Sequence, residues 1–273
     1  MTNTLLAQEP AIRLGAFAGV FLLMALLETL VPRRPLASPR HLRWTGNLAI
    51  VALDTLAVRL AFPLLAVGMA LLAQQRGWGL FNLVALPAPL AILACVLLLD
   101  LAIYAQHRLF HRVPLFWRLH RMHHADTDLD VTTALRFHPL EIILSMLLKL
   151  ALVALLGAPA LAVLLFEVLL NATAMFNHAN LRLPPALDRF LRPLIVTPDM
   201  HRVHHSSAPA ETDSNYGFNL SLWDHLFKSY RAQPALGHEG MTIGLTIFRT
   251  PQDQRLDRLL LQPFRQPPSQ DQG

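Results

Sequence analysis

The chain has 273 residues, 53% hydrophobic and only 15% charged, against about 25% charged in an ordinary soluble domain. With a mean hydropathy of +0.39, this excludes an ordinary soluble domain and reads as an integral membrane protein. The net charge is +5, but the arginines flank apolar segments, so membrane topology accounts for them better than nucleic-acid binding; the lone Cys95 excludes an intramolecular disulfide and cysteine-rich zinc or iron–sulfur sites.

A membrane helix needs about 20 apolar residues. The first stretch of that kind covers roughly 11–31. It is long enough to stay in the membrane, and no cleavable signal peptide is expected. A basic loop with Arg33, Arg34, Arg40 and Arg43 follows, then a second helix over about 47–73. "QQRGWG" predicts a turn, and "LFNLVALP" a short interfacial piece with Trp78 and Phe81 at headgroup level. The third helix covers about 87–106 and runs into a histidine-bearing segment, 107–138. Residues 140–176 are apolar and interrupted by "GAP" at 157–159, which predicts a helical hairpin. Each arm spans about 27 Å, marginal for a full crossing, so a hairpin that dips into the bilayer stays open. From about 179 the chain is a polar domain, and its Pro/Gln-rich end, "QPFRQPPSQDQG", reads as disordered. Counting positive charge puts the 33–43 loop and the segment with Arg108, Arg112, Arg118 and Arg121 in the cytoplasm. The hairpin then begins and ends on that side.

Thirteen histidines carry the chemistry. His107 and His111 continue a stripe from Asp100 and Tyr104 down one helix face. His120, His123 and His124 are spaced to project from one side of a helix, and His201, His204 and His205 repeat the spacing. In the second hairpin arm, Glu167, Asn171 and His178 share a stripe, and polar groups there should face a polar interior. His138 stands before Pro139, a residue suited to a helix's first turn. His41, His225 and His238 are isolated and read as packing or surface residues. Ten clustered histidines are too many for one ion and would serve two, each with about four or five imidazoles. Imidazole suits zinc, copper, iron and nickel. Neither the Glu-x-x-His of soluble di-iron bundles nor the His-Glu-x-x-His of zinc proteases is present.

The ordered boxes "HRLFH", "HRMHH" and "HRVHH", with "RFHPLE" and "NHAN" between them, resemble the fatty acid hydroxylase/sterol desaturase superfamily. "TPDMHRVHHS", "NYGFNLSLWDHLF" and "KSY" are similar to its bacterial sterol-desaturase-like branch; the resemblance spans roughly 90–231. It implies a membrane-bound di-iron oxygenase that hydroxylates or desaturates a lipid, sterol or related alkyl chain, using dioxygen and external electrons. It carries over His107, His111, His120, His123, His124, His201, His204 and His205 as metal ligands, with His178 and His138 joining them. Asp100, Glu167, Asn171, Asp199, Asn215, Tyr216 and Asn219 are expected around the ligands, Asp199 either orienting an imidazole or capping a helix. Zinc is able to occupy the same sites. No flavin, nicotinamide or haem fingerprint is visible. Electrons are therefore expected from a separate ferredoxin, or a cytochrome with its reductase, docked on the basic face that includes Arg202.

The expected fold is all-α: a polytopic bundle of three to five membrane helices, hairpin included, with a cytoplasmic helical cap holding a di-metal site. Residues 1–86 form N-terminal membrane helices, 87–231 the catalytic domain and 232–273 a cytoplasmic C-terminal segment. The bacterial inner membrane is the expected location. A histidine-lined metal transporter would spread its ligands through the bilayer rather than gather them at one face. A zinc hydrolase needs a general base, for which Glu141 is poorly placed at the start of the apolar hairpin. A non-catalytic membrane scaffold would function without metal.

Overall fold

The computed structural model describes residues 2–265. Among them there is no β-strand, only isolated bridges such as Pro32 with Leu181 and Ser206 with Ile243. The apolar segments form helices α1 (Glu9–Leu30), α2 (Arg40–Ala61), α3 (Ala66–Arg76), α4 (Ala88–Arg112), α6 (Pro139–Leu156) and α7 (Ala160–His178), with α5 (Pro114–His124) and α8 (Pro198–His204) in the polar part. Five stretches are long and apolar enough to cross a membrane: α1, Arg40–Leu83, α4, α6 and α7.

The second segment differs from the expected single helix. It begins earlier, at Arg40, and breaks after Ala61. Pro63 is the reason: the residue before a proline is pushed out of the helical region, and Phe62 is extended at φ −123° and ψ 115°. α3 then ends on Gly77, in the left-handed region at φ 65°. The hairpin turns where "GAP" places it, with Gly157 at φ 60° closing α6. Gly79 lies so close that a Cβ there would meet the Gly157 nitrogen at 2.0 Å.

α7 is the centre of the bundle. α1, α3 and α4 pack along it, while α2 and α3 cover α6. Small residues let these helices approach closely, as in membrane bundles generally: Ala66, Ala70, Ala158, Ala160 and Ala162 are buried with Leu99, Val163 and Phe166. The opposite faces are apolar and open. Leu14, Leu22 and Leu155 are 68%, 66% and 70% exposed, as lipid-facing side chains are.

The polar cap is tied to the bundle by a buried ion network that reading Arg43 as a topology signal does not anticipate. The Arg43 guanidinium donates to Asp126 from Nε at 2.5 Å and Nη2 at 2.9 Å, and to Asp130 from Nη1 at 2.6 Å. Asn47, one turn along α2, donates to Asp126 and Thr132. Arg136 closes the network, donating to the Met122 carbonyl at 2.8 Å, to Asn47 and to Gln254. Glu28, near the end of α1, accepts from the backbone N–H groups of Val131 and Asn180. Gly46 lets the C-terminal segment sit on α2, since a Cβ there would meet the Gln254 carbonyl oxygen at 2.2 Å.

The start of the C-terminal tail also differs from expectation. Gln262–Phe264 form a 3₁₀ turn with Gln262 and Pro263 buried, and Arg121 donates to the Gln262 and Arg265 carbonyls. Residues 266–273 of the tail lie outside the described residues. Arg202 is wholly buried against Asp199. Neither Arg121 nor Arg202 is therefore on an open basic face.

Arg43→Ala leaves the Asp126 and Asp130 carboxylates buried without their cation. Breaking such a pair costs about 3–5 kcal/mol, so a marked fall in the thermal melting temperature in detergent is expected. Arg40→Ala, at a part-exposed pair, should shift it far less. Equal shifts for the two variants would contradict this role for Arg43.

Candidate metal centre

Two groups of buried histidines stand side by side beneath the cap. His107, His111, His120, His124 and His204 form one; His123, His178, His201 and His205 form the other. Within each group, one nitrogen from every ring lies within 4.8 Å of the others. The division follows helical geometry. In "HRMHH", His120 and His124 are one turn apart and enter the first group, while His123 turns to the second. In "HRVHH", His201 and His205 enter the second group and His204 the first. Each of these two boxes therefore contributes to both groups, while His107 and His111 of "HRLFH" both enter the first. The groups adjoin: the His124 and His205 rings stack with centroids 4.6 Å apart.

Hydrogen bonds behind the rings set which nitrogen faces inward. His107 donates from Nδ1 to the Tyr216 carbonyl, His204 to the Ser214 carbonyl and His178 to the Ala174 carbonyl, each at 2.7 Å. His120 donates from Nδ1 to Glu141 Oε1 at 2.7 Å, and His111 Nδ1 lies 3.3 Å from Asp213. Carbonyls only accept, so the Nδ1 atoms of His107, His178 and His204 carry the proton and each Nε2 presents a lone pair. The Nε2 atoms of His107 and His120 then face each other at 3.1 Å. His178 Nε2 is 3.2 Å from His123 Nε2 and 3.1 Å from His201 Nε2.

That arrangement fits metal ions. Ring nitrogens turned toward one another at 3.1 Å are placed to share a cation between them. Ligand nitrogens about 2.1 Å from a shared ion stand about 3–4 Å apart, the spacing seen here. His111, His124 and His204 leave Nε2 without a partner in the protein, His123 and His201 leave Nδ1, and His205 leaves both. Unmet buried nitrogens are costly, and a cation relieves them together. Burial holds the His120 imidazole down at about 3. Burial first, and neighbouring imidazoles second, hold His123, His124, His201 and His205 well below the ordinary histidine value. The imidazoles are therefore neutral, as ligands must be.

Nine of the ten expected ligands meet. His138 does not. Its Nδ1 accepts from the Leu140 N–H, capping α6, and its Nε2 is 3.3 Å from the Leu260 carbonyl. Both nitrogens are engaged, because a histidine placed just before Pro139 is in position to serve the free N–H groups of the helix start.

The residues expected around the ligands divide. Tyr216 does support a ligand, through its carbonyl rather than its phenol. Asn215, at φ 50°, donates to the Met200 and Arg231 carbonyls and holds α8 in place. Asn219 accepts from Thr173. Asp100 accepts from Trp223 at 2.8 Å, and Asp199 pairs with Arg33 and Arg202, while Thr197 caps α8. Glu167 pairs with Arg13 and Lys149, and Asn171 donates to the Glu167 carbonyl. None of these six side chains hydrogen-bonds to a clustered imidazole. Glu141 and Asp213 do, and both were missed as ligand supports. A lone carboxylate three residues into an apolar helix was the available signal for Glu141, since it needs a donor there. The carbonyls of Ala174 and Ser214 carry no side-chain signal at all.

The matched family model is that of fatty acid hydroxylase, over residues 92–229. The chain belongs to the fatty acid hydroxylase family. It is 31% identical over 150 residues to ornithine lipid hydroxylase OlsE of Rhizobium tropici, covering 54% of this chain and 44% of that protein. It is 29% identical over 176 residues to human alkylglycerol monooxygenase, covering 62% of this chain and 36% of that protein. The chain thus spans less than half the length of these relatives. No solved structure matches it significantly.

His123→Ala is expected to lower the metal bound per chain, and His138→Ala to leave it unchanged, by elemental analysis after loading. A loss of metal in His138→Ala would return that residue to the site. Because the folded chain holds these histidines neutral, the unfolded chain binds more protons from about pH 3 up to about 6.5. Stability of the metal-free protein should therefore rise with pH across that window. A melting temperature in detergent that is flat from pH 5 to 7 would contradict it.

Proposed function

We propose that the chain is a membrane-bound di-iron oxygenase that hydroxylates or desaturates a lipid, sterol or related alkyl substrate in lipid biosynthesis. The single observation that carries this reading is the junction of the two histidine groups with a membrane cavity. His107 and His120 line a cavity of about 380 Å³ whose walls include Ile103, Phe110, Phe137 and Phe218. An alkyl chain entering between the helices would end at the histidines.

Nine histidines would hold two iron ions, His107, His111, His120, His124 and His204 around one, His123, His178, His201 and His205 around the other. Bound iron supplies the activation of dioxygen needed to attack an unactivated C–H bond. The chain's own residues do the rest. Glu141 and the carbonyls of Tyr216, Ser214 and Ala174 fix ring orientation and proton position, as supports behind metal ligands do. Phe137 stacks on His123 with centroids 4.5 Å apart, and with Phe218 it shields the site from water. Names of the relatives support the reaction class: one is called a lipid hydroxylase, the other a monooxygenase.

Electrons come from a separate donor, a ferredoxin or a cytochrome with its reductase. Arg112 and Arg118 remain exposed beside the site for an acidic carrier. The positive charge around the ends of α1 and α4 supports an orientation with the histidines on the cytoplasmic face of a bacterial inner membrane.

Anaerobic purification with iron should give two irons per chain. With an electron donor and labelled dioxygen, the product lipid should carry a labelled hydroxyl, or a new double bond formed only with oxygen present. His123→Ala and His204→Ala, one from each group, should each abolish turnover. One zinc per chain and no oxygen uptake with a competent donor would sink the reading.

A further inference from the structure

Placing one atom of dioxygen in a C–H bond consumes two electrons and two protons and leaves one water. The electrons come from outside and must cross the protein to reach the histidine groups. The membrane cavity touches His107 and His120 on the side proposed for the alkyl chain. A second cleft, of about 360 Å³, lies in the polar cap, lined by His111, Trp117, Arg121, Asp213, Leu245 and Ile247 among others. It does not bare the imidazole, since the His111 side chain is 1% exposed. A ligand in this cleft stops short of the ring. An electron needs no opening, because it crosses packed atoms.

Trp117 fills the space between. It stands three residues before His120 and seven before His124, so helical spacing puts it on their face of α5. Its ring lies 4.9 Å from the His111 ring and 5.3 Å from the His124 ring, centroid to centroid. Other aromatic rings touch the histidines, but Tyr216 is buried, and Phe137 and Phe218 line the membrane cavity. Trp117 is half-buried and lines the cap cleft. Arg112 and Arg118 directly follow His111 and Trp117 in the chain and are exposed. Asp213 is the one carboxylate lining the cleft, so the surroundings favour an acidic carrier. We propose that Trp117 is the electron-entry residue, passing electrons from a one-electron carrier protein at the cap cleft to the ion held by His111 and His124. Each transfer oxidises the carrier by one electron and reduces one ferric ion to ferrous. The indole bridges the gap and is itself neither oxidised nor reduced. Two transfers serve one turnover. This deepens the oxygenase reading and rests on it.

The test is flash photoreduction of the iron-loaded full chain in detergent, without substrate. Thr246→Cys, on the exposed wall of the cleft, carries a ruthenium polypyridyl label as the electron source. The native Cys95 is wholly buried, so the label goes to the new thiol. An anaerobic flash with a sacrificial donor drives one electron into the ferric chain, and the change in iron absorbance gives the rate. Adding Trp117→Leu should slow this reduction at least about tenfold, and Trp117→Phe, which keeps a ring, should hold it within about threefold of the Trp117 chain. Iron content, and the rate at which dioxygen reoxidises the reduced chain, should not change in either variant. An unchanged photoreduction rate in Trp117→Leu overturns the proposal. So does a labelled Trp117 chain that the flash fails to reduce. A slowing matched by lost iron or slower reoxidation marks a structural role and overturns it too. A chain that loads no iron, or a reduced chain inert to dioxygen, rejects the oxygenase reading instead.

Discussion

Everything in this structure turns on keeping nine imidazoles uncharged, buried and pointed inward at once. A neutral imidazole has one donor and one acceptor, and both need a partner when water is absent. The protein supplies the partner on one side only. Carbonyls of Ala174, Ser214 and Tyr216 take the Nδ1 protons of His178, His204 and His107, and Glu141 pairs with His120, which leaves Nε2 atoms facing one another near 3.1 Å. Nitrogens so placed are favourable around a cation. The membrane bundle serves the same end by excluding water and protons from the lower side.

The constraint explains why the cap is so firmly fixed. The clustered histidines come from α4, α5, α7 and α8 with its C-terminal end, and a loose cap would let the two groups drift apart. Arg43, Asn47 and Arg136 hold the segment between the second box and the hairpin, while Glu28 ties α1 to Val131 and Asn180. Arginines that look like topology signals are here structural cations. Buried guanidinium–carboxylate pairs contribute little net stability over apolar packing, but their directional hydrogen bonds fix the relative placement of the elements they join.

Much of the site was legible in the sequence. The eight box histidines stand out because helical spacing places them on common faces, and a chemistry that needs several imidazoles leaves a dense local pattern; His178 joins them through the family resemblance of "NHAN". The hairpin was legible from "GAP", where glycine permits the left-handed turn. The break at Phe62 could be read from Pro63 but was passed over in a continuous apolar run. His138 misled because proximity in a motif is not proximity to a metal: a histidine before a helix-starting proline has a local task. Glu141 was set aside because its neighbours are apolar, which is also the reason it must find a donor.

The sequence by itself determined the membrane helices, the hairpin and the box histidines that cluster, since these follow from hydropathy and from periodicities of a few residues. It did not decide how each box divides. Adjacent residues on a helix point about 100° apart, so His123 and His124, or His204 and His205, can serve different ions; which one serves which depends on where the other helices stand. Only the tertiary structure divides the rings into two groups, by packing α4, α5, α7 and α8 around two centres. It also placed Asp54 and Glu141, far apart in the chain, on one cavity wall, because α2 and α6 lie against each other and local sequence carries no record of that contact.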